Sequence, residues 1–307
     1  MNTKVKGYLL GAIAAATYGM NPLFALPLYE GGMDPQSVLF FRYLFAIPIL
    51  GIMLHLRGRS FTIRKQEVFP LIFYGVLFSL SSITLFSSYN YMEAGIASTI
   101  LFVYPLMVAI IMAIFFKEKI SLQTALCIFM ATGGIALLYK GSNGVTLSPI
   151  GTLLVISSAL SYAIYIVGIN RSHLKEMATI KVTFYVLLFG WGTFVLFALF
   201  NGGLTTPNKW YLWCNILMLS ILPTIVSLTC TTHAIKFIGS TPTAILGALE
   251  PVTAVIFGIL IFHEKLTPRD FLGLILIIFA VTLVVIGGKI STYLTRFRKM
   301  FPKLKRK

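Results

Sequence analysis

Two stretches of this chain end alike. Glu118-Lys119-Ile120-Ser121 and Glu264-Lys265-Leu266-Thr267 stand 146 residues apart, as do Pro105 and Pro251. Residues 88–98 align with 234–244 at the same offset, and the front halves match more loosely, Gly7 with Gly151 and Tyr18 with Tyr162 at an offset of 144. A chain that is one unit written twice is expected to fold as two like halves.

Each unit consists almost wholly of membrane-length apolar sequence. With 57% hydrophobic and 11% charged residues and a mean hydropathy of +0.89, the 307-residue chain has too little polar surface to cover a water-soluble globule. A span requires about 20 apolar residues to cross about 30 Å of hydrocarbon. Ten stretches meet that length, at 7–28, 35–56, 67–89, 94–116, 120–139, 149–170, 179–200, 210–235, 240–262 and 267–288. They lack the two-residue alternation of barrel strands, so an all-α integral membrane protein is expected. Five spans per unit is an odd number, so the second copy enters the membrane inverted, an arrangement typical of secondary transporters. The expected organisation is a five-helix repeat over 1–145, its inverted copy over 146–288 and a basic tail over 289–307. Lys4 and Lys6 precede an apolar run longer than a signal-peptide core, so the first stretch reads as a span that is not cleaved.

The net charge of +16 raises the question of a nucleic-acid partner, and the placement of the basic residues answers it. Of 25 lysines and arginines, twenty fall in the termini and alternate joints, four in the other joints, and Arg42 inside a span. The positive-inside rule therefore puts both termini in the cytoplasm, and no nucleic-acid partner is expected. In the tail, Ile290, Tyr293, Leu294, Phe297, Phe301 and Leu304 recur at helical spacing among basic residues. That segment either lies on anionic membrane lipid or holds the last span's end in the cytoplasm. Cys127, Cys214 and Cys230 stand singly and read as small core residues. His263-Glu264 lacks a second histidine, so no metal is expected. No Gly-x4-Gly-Lys-Ser/Thr loop occurs, so uphill work would draw on a gradient, and no cofactor is implied.

Ten spans, a five-plus-five repeat and paired ends reading Glu-Lys-aliphatic-Ser/Thr resemble the EamA-type transporters of the drug/metabolite transporter superfamily. The resemblance is most specific from Ala234 to Glu264, where Leu249-Glu250-Pro251 precedes the second Glu-Lys. It implies a bacterial inner-membrane permease without enzymatic activity, an exporter of amino acids or amphipathic compounds by alternating access. Relatives that move nucleotide or lipid-linked sugars leave that cargo open, and a non-transporting scaffold or sensor is a further alternative. The fifth and tenth spans, poor in polar residues, would serve as scaffold or homodimer contacts.

Glu250 is the one acidic residue expected at mid-membrane, where an ionised side chain costs about 2.5 to 3.5 kcal/mol. It either couples transport to protons or hydrogen-bonds across helices beside the Pro251 kink. Arg42, about 10 Å from the outer end of the second span, either snorkels or is paired structurally, or faces an anionic solute group. His233 at the end of the eighth span either titrates near neutral pH or is an interfacial histidine with no proton role. These three form a candidate coupling or gating set. Candidate solute contacts are Tyr18 and Asn21 beside Pro22, Tyr162 and Tyr165 in the repeat-related span, Ser82 and Tyr89, Tyr104 as the counterpart of Glu250, and Thr229. Packing or interfacial anchoring is the alternative for each tyrosine, and self-bonding to the helix backbone for the hydroxyls. Glu118 and Glu264 read as architecture next to helix starts, with Ser121 and Thr267 as caps and Thr267-x-x-Asp270 spaced as a capping box.

Overall fold

A computed structural model describes residues 3–117, 122–139, 148–200, 203–238, 243 and 246–283. The described residues form helices and connecting turns, and no strand occurs among them. In chain order the helices are α1 (Thr3–Gly19), α2 (Asn21–Glu30), α3 (Pro35–Leu56), α4 (Lys65–Ser88), α5 (Ala94–Leu101), α6 (Tyr104–Phe116) and α7 (Leu122–Tyr139). They continue as α8 (Pro149–Arg171), α9 (Thr179–Phe200), α10 (Trp210–Ser220), α11 (Ser227–Ile238) and α12 (Leu249–Phe262). The chain is helical again through 268–283, here α13.

Seven of the described helical stretches are long and apolar enough to cross a membrane, and Ala125–Leu137 and Leu249–Phe262 are shorter apolar helices. Their limits fall within a few residues of the expected spans, since the charged and turn-forming joints that end an apolar run also end the helix. The expected fifth, ninth and tenth spans are each described in part. Large apolar side chains such as Leu56, Phe69, Phe129, Phe200 and Trp210 stay exposed on the outside of the bundle, as a lipid-facing surface demands. Cys127 is buried, whereas Cys214 is exposed on α10, so the expectation of three core cysteines fails there.

Three span breaks lie beside prolines, whereas Pro27, Pro48 and Pro70 are carried inside α2, α3 and α4 without one. Pro22, Pro105 and Pro251 each lie within the first three residues of a helix, α2, α6 and α12. A proline has no N–H and its ring crowds the carbonyl four residues earlier, so the ladder is interrupted one turn upstream. The interruptions fall at Met20, at Phe102-Val103 and at Gly247-Ala248. The span holding Pro223 instead widens into a π-helical turn over Ile221–Val226.

Repeat-related positions carry the same backbone geometry. Lys117 and His263, 146 residues apart, both adopt left-handed conformations with φ 55°, and their N–H groups bond to the carbonyls of Met112 and Gly258. The expected capping box forms: Thr267 N–H and Oγ1 donate to Asp270 Oδ2 at 3.0 and 2.6 Å, and Asp270 N–H donates to Thr267 Oγ1 at 3.2 Å. Asp34 caps α3 by accepting from Ser37 N–H at 3.0 Å, with Pro35 at the first helical position. Glu118, Ser121 and the tail over 289–307 lie outside the described residues.

Candidate functional site: a tyrosine-lined cavity between the two halves

A cavity of about 420 Å³ opens where the proline breaks of the two halves meet. Its polar wall is Tyr18, Tyr104, Tyr162, Ser227, Thr231, Thr243 and Glu250, and Gly11, Ala14 and Ala15 on α1 leave the space for it. The breaks position two of these groups directly, since Tyr104 begins α6 and Glu250 lies in the first turn of α12. α1 comes close enough to α12 that a Cβ on Gly19 would overlap the backbone carbonyl of Glu250. Ser227, Thr231 and Ile235 are four residues apart on α11 and so share the face that borders the cavity.

The aromatic wall is continuous. Tyr104 meets Tyr162 edge to face at 4.8 Å between ring centroids, and Tyr162 stacks on Tyr165 at 5.8 Å. Tyr18, Tyr104 and Tyr162 all lie within electrostatic reach of Glu250, which is set deep in the bundle and keeps some surface on the cavity. Phenols, hydroxyls, aromatic faces and one carboxyl group suit a neutral, zwitterionic or cationic group.

The remaining sequence-predicted residues stand behind or away from this wall. Asn21 is buried and braces the first break, donating from Nδ2 to the Tyr18 carbonyl at 2.9 Å, while its Oδ1 has no partner. Tyr165 supports Tyr162 from behind and packs on Phe78 at 5.2 Å. Ser82 bonds to Tyr43 Oη at 2.8 Å and to the Phe78 carbonyl at 3.0 Å. Tyr89 is buried, and its hydroxyl approaches Ser98 without reaching hydrogen-bond geometry. Thr229 borders a separate pocket of about 400 Å³ with Arg57, Arg59 and Thr232, because it is two residues out of phase with the Ser227–Thr231 face. Thr231, which the sequence reading passed over, lines the cavity; its four-residue spacing from Ser227 was the available signal. His233 holds the Thr229 carbonyl through Nδ1 at 2.8 Å. Arg42 does not snorkel: it is 7% exposed, donates from Nε to Thr224 Oγ1 at 3.1 Å, and lies 5.4 Å from the Phe86 ring centre.

A second polar joint lies at the far end of α12. Glu264 does not cap the helix that follows it. Its carboxylate instead accepts from the Ala94 and Gly95 N–H groups at 2.9 and 3.4 Å, at the start of α5. It sits in a slot made by Gly95 and Gly258, either of which would crowd it with a Cβ. Burial pushes the Glu264 carboxyl above its ordinary value, the bond from Ala94 pulls the other way, and the neighbouring Glu93 adds to the rise.

The EamA-like transporter family model matches the chain twice, over residues 5–140 and 149–286. An uncharacterized transporter of Bacillus subtilis, YcbK, is 22% identical over 264 residues, covering 83% of this chain and 84% of the relative. A second from the same organism, YvbV, is 24% identical over 293 residues and covers 92% of each. A solved crystal structure superposes with a TM-score of 0.66 at 16% identity, covering 92% of this chain and 97% of that one, which shows a shared fold. With its membrane-length helices and a family match over nearly its whole length, the chain belongs to the EamA-like transporter family and is a multi-pass protein of the bacterial inner membrane.

Proposed function

We propose that this protein is a secondary-active or facilitative carrier that exports a small amino acid or amphipathic metabolite by alternating access. One observation carries the reading: the cavity wall is drawn from both sequence halves, Tyr18 and Tyr104 from the first, Tyr162 and Glu250 from the second. A solute held there would touch both bodies whose relative motion exposes it to one side and then the other. The doubled family match and the paired geometry of Lys117 and His263 support two like halves, read here as five spans each with the second inverted.

The cavity runs from Tyr18 and Glu250 toward Gly11 and Ile235, the end where α1 begins and α11 finishes. With both termini in the cytoplasm, that mouth faces inward, and the Glu264 joint ties α12 to α5 at the opposite, outer end. In this reading Glu250 couples solute binding to protons. No lysine or arginine borders the cavity among the described residues, which disfavours a multiply charged phosphate cargo.

Counterflow into proteoliposomes tests the proposal, with pooled labelled amino acids and small metabolites, with and without a pH gradient. Uptake accelerated by preloaded solute is expected. Absence of flux for every pool, from protein shown to be folded, would overturn it.

A further inference from the structure

Arg42 presents a problem that the cavity does not solve. It lies within α3 and is buried, and a guanidinium keeps its charge wherever it is placed. A buried charge without a counter-charge is costly, so such groups are normally paired. Here the surroundings are neutral. Nε donates to Thr224 Oγ1, the cation lies against the Phe86 ring, and no carboxylate among the described residues forms an ion pair with it.

Four phenols lie within electrostatic reach of Arg42: Tyr18, Tyr29, Tyr43 and Tyr89. Two are committed elsewhere, Tyr29 Oη to the Phe86 carbonyl at 3.0 Å and Tyr43 Oη to Ser82 at 2.8 Å. Tyr89 is not: its hydroxyl is buried with no hydrogen bond completed. Thr224 is brought under the guanidinium by the π-helical turn Ile221–Val226, within which its Oγ1 donates to the Leu219 carbonyl five residues back at 3.3 Å. Single π turns inside helices concentrate at functional sites. Tyr18 and Tyr89 are also within reach of Glu250, so Arg42 lies beyond the tyrosine that borders the cavity.

We propose that Arg42, positioned by Thr224 and assisted by the Tyr89 hydroxyl, is a binding point for one carboxylate group of the solute. The terminal guanidinium nitrogens would take the two carboxylate oxygens side by side, and Tyr89 would supply a third donor. A single cation balances a monoanion, whereas a phosphate dianion would leave surplus negative charge near Glu250. The inference deepens the carrier reading and rests on it for the solute's passage, but binding itself can be read without transport.

The experiment is thermal unfolding of the purified full-length protein in detergent, followed by tryptophan fluorescence, during titration with sodium acetate at constant ionic strength set by sodium chloride. A saturable rise in Tm with acetate is expected, with no such rise for phosphate. Tyr89→Phe removes a hydroxyl whose approach to Ser98 falls short of hydrogen-bond geometry, so its Tm without acetate should change little, while its apparent Kd for acetate should weaken by roughly tenfold. Arg42→Gln should abolish the acetate effect, and Tyr89→Phe keeps the test decisive if that variant does not fold. No saturable acetate effect on the wild type, an unchanged Kd in Tyr89→Phe, or stronger stabilisation by phosphate would each overturn the proposal. Because the readout is binding, failure of counterflow would not imitate any of these results.

Discussion

Replacing Glu264 by alanine takes both acceptors from the first turn of α5. Ala94 and Gly95 are buried, so their N–H groups would be left without partners, and an orphaned buried donor costs about 1–3 kcal/mol. The 2.9 Å bond to Ala94 carries most of this, since the 3.4 Å contact to Gly95 is at the long limit. Loss of a negative charge at a helix N-terminus adds about 0.3–1 kcal/mol. Against this, the carboxylate sits where burial disfavours its charged form, so its removal returns part of the loss. The net expectation for Glu264→Ala is about 1–2 kcal/mol, a fall in Tm of roughly 2–8 °C. Glu264→Gln keeps an oxygen for Ala94 and sheds the disfavoured charge, so at neutral pH it should melt close to the wild type. A carboxyl whose folded value is raised contributes stability that is full below the ordinary 4.5 and is lost as pH rises through the folded value. The wild type should therefore lose stability across that window and Glu264→Gln should not. Melting of the three proteins in detergent across pH, followed by tryptophan fluorescence, decides it. A glutamine variant as damaged as the alanine variant would mean that charge, and not acceptor geometry, holds the joint.

Two further perturbations separate architecture from transport. Burial alone would raise the Asp34 carboxyl, but hydrogen bonds from Ser37 and Thr205 hold it below its ordinary 3.8, so its contribution is present above that value and lost as pH falls through the folded one. Asp34→Asn should cost about 1 kcal/mol at neutral pH and flatten the acid side of the melting profile. Glu250→Gln should fold and insert normally and retain counterflow while losing any accumulation driven by a pH gradient; unchanged gradient-driven uptake would remove Glu250 from the coupling role.

The spans were legible because membrane thickness converts directly into a count of apolar residues. Which prolines would break them was not, since Pro22, Pro105 and Pro251 lie beside breaks while Pro48 and Pro70 sit inside α3 and α4. The phase of each helix was not legible. In α11 hydroxyls occur at Ser227, Thr229, Thr231 and Thr232, and packing alone determines that Ser227 and Thr231 meet the cavity while Thr229 faces another pocket. Partners across long separations were hidden for the same reason. Glu264 reads locally as a neighbour of the Thr267 cap, yet it bonds to α5, about 170 residues earlier in the chain. Arg42 read as snorkelling, structurally paired or facing a solute anion, and nothing adjacent to it in sequence names Thr224 and Phe86 as the groups that enclose it.

The most direct measurement is counterflow by the wild type and by Thr231→Trp, reconstituted at equal density. Thr231 borders the cavity on α11, and a tryptophan there would fill much of the space beside Tyr18 and Glu250. Saturable exchange by the wild type and its loss in a folded Thr231→Trp protein is the expected result. Equal exchange by the two proteins would contradict a solute path through this cavity.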